Sequence, residues 1–172
     1  MKAVKAAVKA YPSYQVVAVG YSLGGAVATI AAAHLRVAGI PTNIVSFGSP
    51  RVGNKAFVNF VNAQAGTNYR VTHYNDPIPR FPGKLFGYRH TSPEIWLSTG
   101  GTTQTSYTLA QIKVCVGTEN TSCNDGTSSL DLTAHKYYFQ RVSSCKWVGL
   151  GCRCYHSWWC INIPFDYLDY NV

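Results

Sequence analysis

The chain has 172 residues, of which 47% are hydrophobic and only 13% are charged, and this balance excludes a disordered, highly solvated chain. The net charge is +8, with a net +9 on residues 1–113 and a net −1 on residues 114–172. A basic surface favours anionic neighbours, but the basic residues are scattered singly, which argues against a nucleic-acid-binding module. No apolar run approaches the roughly 20 residues of a membrane-spanning helix, and the length fits one globular domain.

Short apolar runs alternate with helical patterns along the first half of the chain. We predict helices over residues 2–10, from the low twenties to about residue 37, and around a stripe of Phe57, Phe60 and Val61. Between them, the β-branched runs at 15–19, 43–47 and 69–74 are typical of buried parallel strands. This alternation predicts an α/β fold with a mostly parallel sheet.

The pattern changes after residue 85. We predict short antiparallel strands within 94–98 and 106–114, followed by a polar loop bounded by two cysteines at 115–123. Residues 146–172 are rich in aromatic residues and cysteine and show no clear period. We therefore divide the chain into a domain at 1–145 and a tail of unknown structure at 146–172.

All six cysteines lie between residues 115 and 160, and clustered cysteines in even number indicate disulfides and an oxidising compartment. The first residues, MKAVKAAVKAY, do not form a signal peptide, because three lysines interrupt the apolar stretch. Their apolar residues instead follow the spacing of an amphipathic helix. We interpret Met1 as an internal methionine of a longer, extracellular protein.

The strongest motif is Gly20-Tyr21-Ser22-Leu23-Gly24, a G-x-S-x-G pattern between a predicted strand and a predicted helix. A sharp turn there would expose the Ser22 hydroxyl in a strained backbone conformation, and side chains at positions 20 and 24 would clash with neighbouring backbone. The N–H of Leu23, at the helix N-terminus, could stabilise an oxyanion. The alternative is a serine that only caps a glycine-rich helix start.

A serine needs an imidazole base and an orienting carboxylate, and in this architecture they follow it in the order acid, then histidine. His135 lies well downstream, in a loop-like segment, and is the expected base. His34, His73 and His90 are expected to be structural or surface residues, and His156 in the tail is a weaker rival.

Five acidic residues lie between the serine and this base: Asp76, Glu94, Glu119, Asp125 and Asp131. Asp76 directly follows a predicted buried strand and is held by prolines at 77 and 79, which places it at the carboxyl edge of the sheet. Asp131 is four residues from the base, where it could make a local contact or a cap. We favour Asp76 as the acid and keep Asp131 as the alternative.

The stretches VVAVGYSLGGAVATIAA, IVSFGSPRVGN, RVTHYNDPIPRFP, GYRHTSPEIW and AHKYYF, taken in series, resemble the carboxyl-terminal half of the fungal class 3 lipases. That family contains secreted triacylglycerol lipases and related feruloyl esterases with an α/β-hydrolase fold. The resemblance implies Ser22 as nucleophile, Asp76 as acid, His135 as base and the Leu23 N–H as one oxyanion donor. It implies no metal and no cofactor.

The resemblance also implies a local disulfide between Cys115 and Cys123, and a disulfide from Cys145 to a cysteine near the family's amino terminus. Two residues depart from the family pattern: Tyr21 stands where histidine is most common, and Lys136 stands where an apolar residue often lines the acyl groove. The family's amino-terminal half, with its first strands, lid and second oxyanion donor, has no counterpart. We therefore expect the nucleophile strand to have a bare edge and this chain alone to be weakly active or inactive.

The tail contains Cys152, Cys154, His156 and Cys160 in the pattern C-x-C-x-H-x₃-C, which could ligate zinc but matches no common zinc motif. Trp158 and Trp159 could form an apolar patch. The alternatives are a disulfide-bonded extension or an end unrelated to the rest of the chain.

As function we expect carboxylic-ester hydrolysis through an acyl-enzyme, with lipid substrates met at a lipid–water interface and no obligate protein partner. Long acylglycerols are the first expected substrate, and hydroxycinnamoyl esters of plant cell walls are the second. Two alternatives lie outside ester hydrolysis: a catalytically dead remnant or binding module, and a basic surface protein that adsorbs to anionic membranes.

Overall fold

A computed structural model describes residues 1–142 and, as backbone, the two short segments 146–148 and 151–153. The helices are α1 (Lys2–Ala10), α2 (Leu23–Val37) and α3 (Lys55–Ala63). The strands are β1 (Val16–Tyr21), β2 (Thr42–Phe47), β3 (Gly53–Asn54), β4 (Asn68–His73), β5 (Tyr88–Arg89), β6 (Glu94–Leu97), β7 (Ile112–Cys115), β8 (Lys146–Val148) and β9 (Gly151–Arg153). Apart from the two-residue strand β3, helices and strands alternate from α1 to β4, which confirms the α/β organisation predicted from the sequence.

The central sheet has the strand order β1-β2-β4-β6-β7. The first four strands run parallel, and β7 is antiparallel to β6. In parallel strands the carboxyl ends lie at the same edge, so the segments that follow β1, β2 and β4 meet there. Two short antiparallel pairs, β3 with β5 and β8 with β9, lie outside this sheet.

The expectation of antiparallel strands in the second half of the chain is confirmed for β6 and β7, which pair antiparallel, although β6 also pairs in parallel with β4 on its other side. The bounds of the second of these strands were wrong. The predicted strand over 106–114 is much shorter: a 3₁₀ turn occupies Leu109–Gln111, and β7 begins only at Ile112. A capping box between Thr108 and Gln111 stabilises that turn, and this local hydrogen bonding competes with extended structure.

Helices α2 and α3 cover one face of the sheet. Ala32, Ala33, Ile44 and Val61 form a buried cluster, with Ala18 and Phe57 packed against it. The alanines of α2 let the helix approach the sheet closely, so the start of α2 is held in a fixed position next to the end of β1.

A second cluster lies between β4, β6 and the segment after residue 130. Val71, Leu97 and Tyr138 are buried there. Partly buried rings and aliphatic side chains surround them, including Tyr21 and Phe47. This cluster attaches the loop that carries His135 to the carboxyl end of the sheet.

β1 lies at an edge of the described sheet, as expected for the strand that precedes Ser22. β1 is less buried than the sequence predicted, because the side chains of Val17 and Val19 are 46% and 40% exposed. The amphipathic helix α1 has no buried residue. Within the described residues, no helix is both long enough and apolar enough to cross a bilayer.

Cys115 and Cys123 form a disulfide, with a Cα–Cα distance of 6.2 Å, as the resemblance implies. Cys145 lies outside the described residues, as do the tail residues Cys154, His156, Cys160, Trp158 and Trp159, and only the backbone of Cys152 is described. The division between residues 1–145 and 146–172 and the role of that tail stay predictions.

Candidate active site

Ser22 occupies a single-residue turn between the end of β1 and the start of α2. Its φ of 55° and ψ of −127° lie outside the regions that residues with a side chain usually adopt. The Ser22 N–H donates to the carbonyl of Phe47 at 2.8 Å, which anchors the turn to the end of β2. This strained turn is the strand–serine–helix geometry that the motif predicts.

The glycines around Ser22 differ in what they allow. A Cβ at Gly20 would lie 2.1 Å from the carbonyl oxygen of Gly24, so no side chain fits at position 20, as predicted. The predicted clash at position 24 was wrong, because a Cβ on Gly24 would meet nothing within 4 Å. The close approach is at Gly25 instead, where a Cβ would lie 2.8 Å from the Cβ of Ser49.

Ser22, His135 and Asp76 form one continuous chain of hydrogen bonds. The Ser22 Oγ lies 2.8 Å from the His135 Nε2, and the His135 Nδ1 lies 2.8 Å from the Asp76 Oδ2. Ser22 comes from the end of β1, Asp76 from the loop after β4, and His135 from the 3₁₀ turn at Ala134–Lys136. This arrangement lets an imidazole take the proton of a serine hydroxyl while a carboxylate orients the ring.

Asp76 is fully buried, and both oxygens of its carboxylate accept hydrogen bonds. Its Oδ1 accepts the N–H of Ile78 at 2.9 Å, and its Oδ2 accepts the hydroxyl of Tyr138 at 2.6 Å. The side-chain amide of Asn124 donates to the carbonyls of Tyr74 and Asp76. Burial, and then the negative charge of Asp76, raise the pKa of Tyr138, so its phenol stays protonated and can donate.

Leu23 is the first residue of α2, directly after the serine. The first N–H groups of a helix have no acceptor within the helix, and the helix dipole adds partial positive charge there. The backbone N–H of Leu23 therefore has no acceptor within its own helix, which is consistent with the oxyanion-donor role that the motif predicts. The Leu23 side chain is exposed.

Among the described residues, the other three histidines do not join this chain of hydrogen bonds. His73 is buried, and its Nδ1 bonds to the carbonyl of Ala134 at 2.8 Å. The Nε2 of His90 bonds to the carbonyl of Pro79, and His34 is exposed on α2. Carbonyl oxygens only accept, so the bonded nitrogens of His73 and His90 carry protons. His156 lies outside the described residues.

The other four acidic residues considered from the sequence have other partners. Glu94 is buried and pairs with Arg70 at 2.8 Å. Asp125 pairs with Arg51 and Lys84, and Glu119 pairs with Arg89. The alternative acid, Asp131, is exposed, and its carboxylate accepts the N–H of Thr133, which is the local cap considered from the sequence.

Sequence reasoning did not single out Gly48, Tyr138 or Asn124 as parts of this site. Gly48 directly follows β2 and has a φ of +58°, and a Cβ there would lie 2.6 Å from the Tyr138 hydroxyl oxygen and 3.0 Å from the His135 Cε1. Its position after a buried strand adjacent to β1 was an available signal. The sequence contains no such signal for Tyr138 or Asn124, because their roles depend on long-range contacts.

Lys136 and Tyr21, the two residues that depart from the family pattern, flank His135 in different ways. Lys136 is the next residue in the 3₁₀ turn, and its side chain is exposed. Tyr21 contacts His135 directly, through its hydroxyl and its ring. Among the described residues, no group of three His, Cys, Asp or Glu side chains could hold a metal ion.

Comparison with known proteins places these observations in a family. The family model "Lipase (class 3)" matches residues 1–86. The secreted mono- and diacylglycerol lipase 1 of Fusarium solani is 55% identical over 143 residues, which are 83% of this chain and 43% of the relative. The secreted mono- and diacylglycerol lipase A of Penicillium camembertii is 42% identical over 154 residues, covering 87% of this chain and 50% of the relative.

Solved structures agree with this match. The crystal structure of a mono- and diacylglycerol lipase from Aspergillus oryzae superimposes with a TM-score of 0.76 and 35% identity, over 82% of this chain and 53% of that one. The mostly parallel sheet with flanking helices is therefore an α/β-hydrolase fold. The chain spans about half the length of the curated relatives it matches. The sequence match, the matching fold and the strained serine turn together show that the chain belongs to the class 3 lipase family.

Proposed function

We propose that the chain carries the nucleophile, base and acid of a secreted serine ester hydrolase that acts on acylglycerols. One observation supports this above all: Ser22, His135 and Asp76 are linked by two hydrogen bonds of 2.8 Å each. A capping serine would not need an imidazole on its hydroxyl, nor a buried carboxylate behind that imidazole.

The chemistry follows from the roles of these groups. The Ser22 Oγ attacks the ester carbonyl carbon while its proton passes to the Nε2 of His135. The carbonyl oxygen becomes an oxyanion, which the N–H of Leu23 stabilises. The C–O bond to the alcohol then breaks, the alcohol takes the proton from His135, and an acyl-serine remains. Water then gives a proton to the same nitrogen and attacks the acyl carbon. The bond between that carbon and the Ser22 Oγ breaks, the carboxylic acid leaves, and the Ser22 Oγ takes the proton back from the Nε2 of His135.

Asp76 acts through His135. Its Oδ2 accepts the Nδ1–H, so the Nε2 points its lone pair at the serine and the positive charge on the ring during attack is stabilised. Burial of Asp76 excludes water from this bond, which strengthens the electrostatic interaction.

The substrate class that we propose is based on the names of the relatives. The proteins from Fusarium solani and Penicillium camembertii are named secreted mono- and diacylglycerol lipases, so partial glycerides become the first substrates to test for this chain. Triacylglycerols, the first expectation from the sequence, are included for comparison. The same names support secretion of the protein.

The test is labelling of the 172-residue chain by a fluorophosphonate, which reacts covalently with an activated serine and does not need a complete acyl groove. We expect labelling at Ser22, located by peptide mass, and none in Ser22→Ala or His135→Gln. His34→Gln is the matched control, because His34 is exposed on α2 and should label at the wild-type rate. Absence of label, or label on another residue, would overturn the proposal.

Substrate class is tested separately, by hydrolysis of mono-, di- and triacylglycerol emulsions and of methyl ferulate by the same chain. We expect the rates on partial glycerides to exceed the rate on triacylglycerol. Faster release of ferulate than of fatty acid would overturn the acylglycerol assignment and leave the serine chemistry in place.

A further inference from the structure

Tyr21 contacts His135 in two ways. Its hydroxyl donates to the backbone carbonyl oxygen of His135 at 2.6 Å. Its ring stacks on the imidazole, with 4.9 Å between ring centroids and 23° between ring planes. Since Tyr21 precedes Ser22, the same two-residue segment at the end of β1 holds the serine and contacts the base.

The two contacts leave the imidazole free to react. Stacking uses the face of the ring, whereas the bonds to Ser22 and Asp76 use nitrogens at its edge. A stacked ring hinders rotation of the imidazole out of the plane that contains both of those bonds. The hydroxyl bond restrains the backbone from which the histidine side chain extends.

The backbone restraint is reinforced at the neighbouring residue. The Nδ1–H of His73, from β4, donates to the carbonyl of Ala134 at 2.8 Å. Two consecutive carbonyls of the 3₁₀ turn are therefore held by rings from two parallel strands. Of these two rings, only that of Tyr21 also stacks on the imidazole.

The environment of Tyr21 keeps its hydroxyl able to donate. Burial, and then the negative charge of Asp76, raise the pKa of Tyr21 to about 12. The phenol is therefore protonated over the whole pH range in which a serine–histidine pair works, so it can donate to the carbonyl of His135 throughout that range.

We infer that Tyr21 is a positioning residue for the base: it holds the His135 ring in line between Ser22 and Asp76 through a stacked ring and a backbone hydrogen bond. This inference rests on the proposed function. The competing explanation is that Tyr21 only fills space, since it also packs against the second core cluster.

Two substitutions separate the contacts. Tyr21→Phe keeps the ring and loses the hydroxyl bond, and Tyr21→Leu loses both. We expect the maximal rate constant of fluorophosphonate labelling to fall roughly fivefold in Tyr21→Phe and roughly 50-fold in Tyr21→Leu, with the half-saturating probe concentration unchanged. Tyr107→Phe is the matched control, because its hydroxyl also donates to a carbonyl, that of Gln104, at 2.6 Å.

A second readout does not depend on reactivity. The proton shared between the His135 Nδ1 and Asp76 should give a low-field NMR resonance in the wild type and in Tyr107→Phe. We expect it to be weakened in Tyr21→Phe and lost in Tyr21→Leu while the rest of the spectrum shows a folded chain.

The outcomes distinguish the inference from the function on which it rests. Equal labelling rates and an unchanged resonance in both Tyr21 variants would overturn the positioning role and leave the proposed function standing. If the wild type is not labelled, the proposed function fails, and the resonance still decides whether Tyr21 holds the histidine. Equal slowing in Tyr107→Phe would also overturn the inference, because loss of packing alone would then explain the effect.

Discussion

The hydroxyl of Tyr138 donates to the Asp76 Oδ2, the same carboxylate oxygen that accepts the Nδ1–H of His135. Tyr138 is buried, and its ring belongs to the second core cluster. The packing of that cluster therefore helps to fix the orientation of the Asp76 carboxylate toward the imidazole. A core residue, Tyr138, thus helps to position the proposed acid.

Tyr138→Phe should remove this donor while keeping the ring. A hydrogen bond to a buried charged group is worth about 1.5–3 kcal/mol, so the free energy of unfolding should fall by about that amount. Labelling of Ser22 should slow by roughly tenfold, because the carboxylate is less firmly held. Urea unfolding and labelling kinetics measure the two effects. An unchanged labelling rate would show that the Asp76 bond to His135 does not depend on Tyr138.

Gly48→Ala should slow the reaction of Ser22 more than the strain of its backbone conformation alone would. The φ of +58° costs a side-chain-bearing residue about 1–2 kcal/mol, and the new Cβ would also lie 2.6 Å from the Tyr138 hydroxyl oxygen. We expect labelling to slow by more than about tenfold. Gly39→Ala is the control, because Gly39 has a φ of +77° but open space around its Cβ position. Equal slowing in both variants would contradict this explanation.

The disulfide between Cys115 and Cys123 should stabilise the fold through the loop that it closes. The two cysteines are 8 residues apart, and closing a loop of that size is worth about 2–3 kcal/mol. The double variant Cys115→Ala/Cys123→Ala should lose about that much stability in urea. A reductant should lower the wild-type midpoint and leave that of the double variant nearly unchanged. A large reductant effect in the double variant would assign the stabilisation to other cysteines.

His90 should make the fold less stable in mild acid. Its pKa is held well below the usual value, first by burial and then by the positive charge of Arg70. As pH falls below about 6.5, the unfolded chain binds a proton that the folded chain does not, so stability decreases by up to about 1.4 kcal/mol per pH unit. Above that pH His90 is neutral in both the folded and the unfolded chain, so it no longer makes the free energy of unfolding depend on pH.

His90→Gln should therefore flatten the dependence of unfolding free energy on pH between about 6.5 and 5. His34→Gln should retain it, because His34 is exposed. A wild-type slope that persists unchanged in His90→Gln would mean that other groups cause the loss of stability in acid.

Local pattern was sufficient to predict several parts of the structure. The strand, the serine turn and the helix around residues 16–37 follow from a β-branched run, a glycine-flanked serine and an alanine-rich helix. Asp76 and His135 could be chosen because parallel strands bring their carboxyl ends to one edge and the order of the residues is restricted.

Other parts depend on contacts that no local pattern contains. β6 resembles any short strand, and its direction relative to β4 depends on the path of the chain between them. The clash assigned to Gly24 belongs to Gly25, because the approach is to Ser49 on a separate segment. The hydroxyl contacts of Tyr21 with His135 and of Tyr138 with Asp76 could not be predicted from local pattern, because each joins residues that are far apart in the sequence.

The central claim is that Asp76, through His135, prepares Ser22 for attack, and one paired measurement tests it most directly. The rate of fluorophosphonate labelling at Ser22 should fall by roughly 10³-fold or more in Asp76→Asn, because an amide favours the wrong imidazole tautomer. It should be unchanged in Asp131→Asn, whose side-chain oxygen can still accept the N–H of Thr133. A wild-type rate in Asp76→Asn, or a comparable loss in Asp131→Asn, would contradict the account.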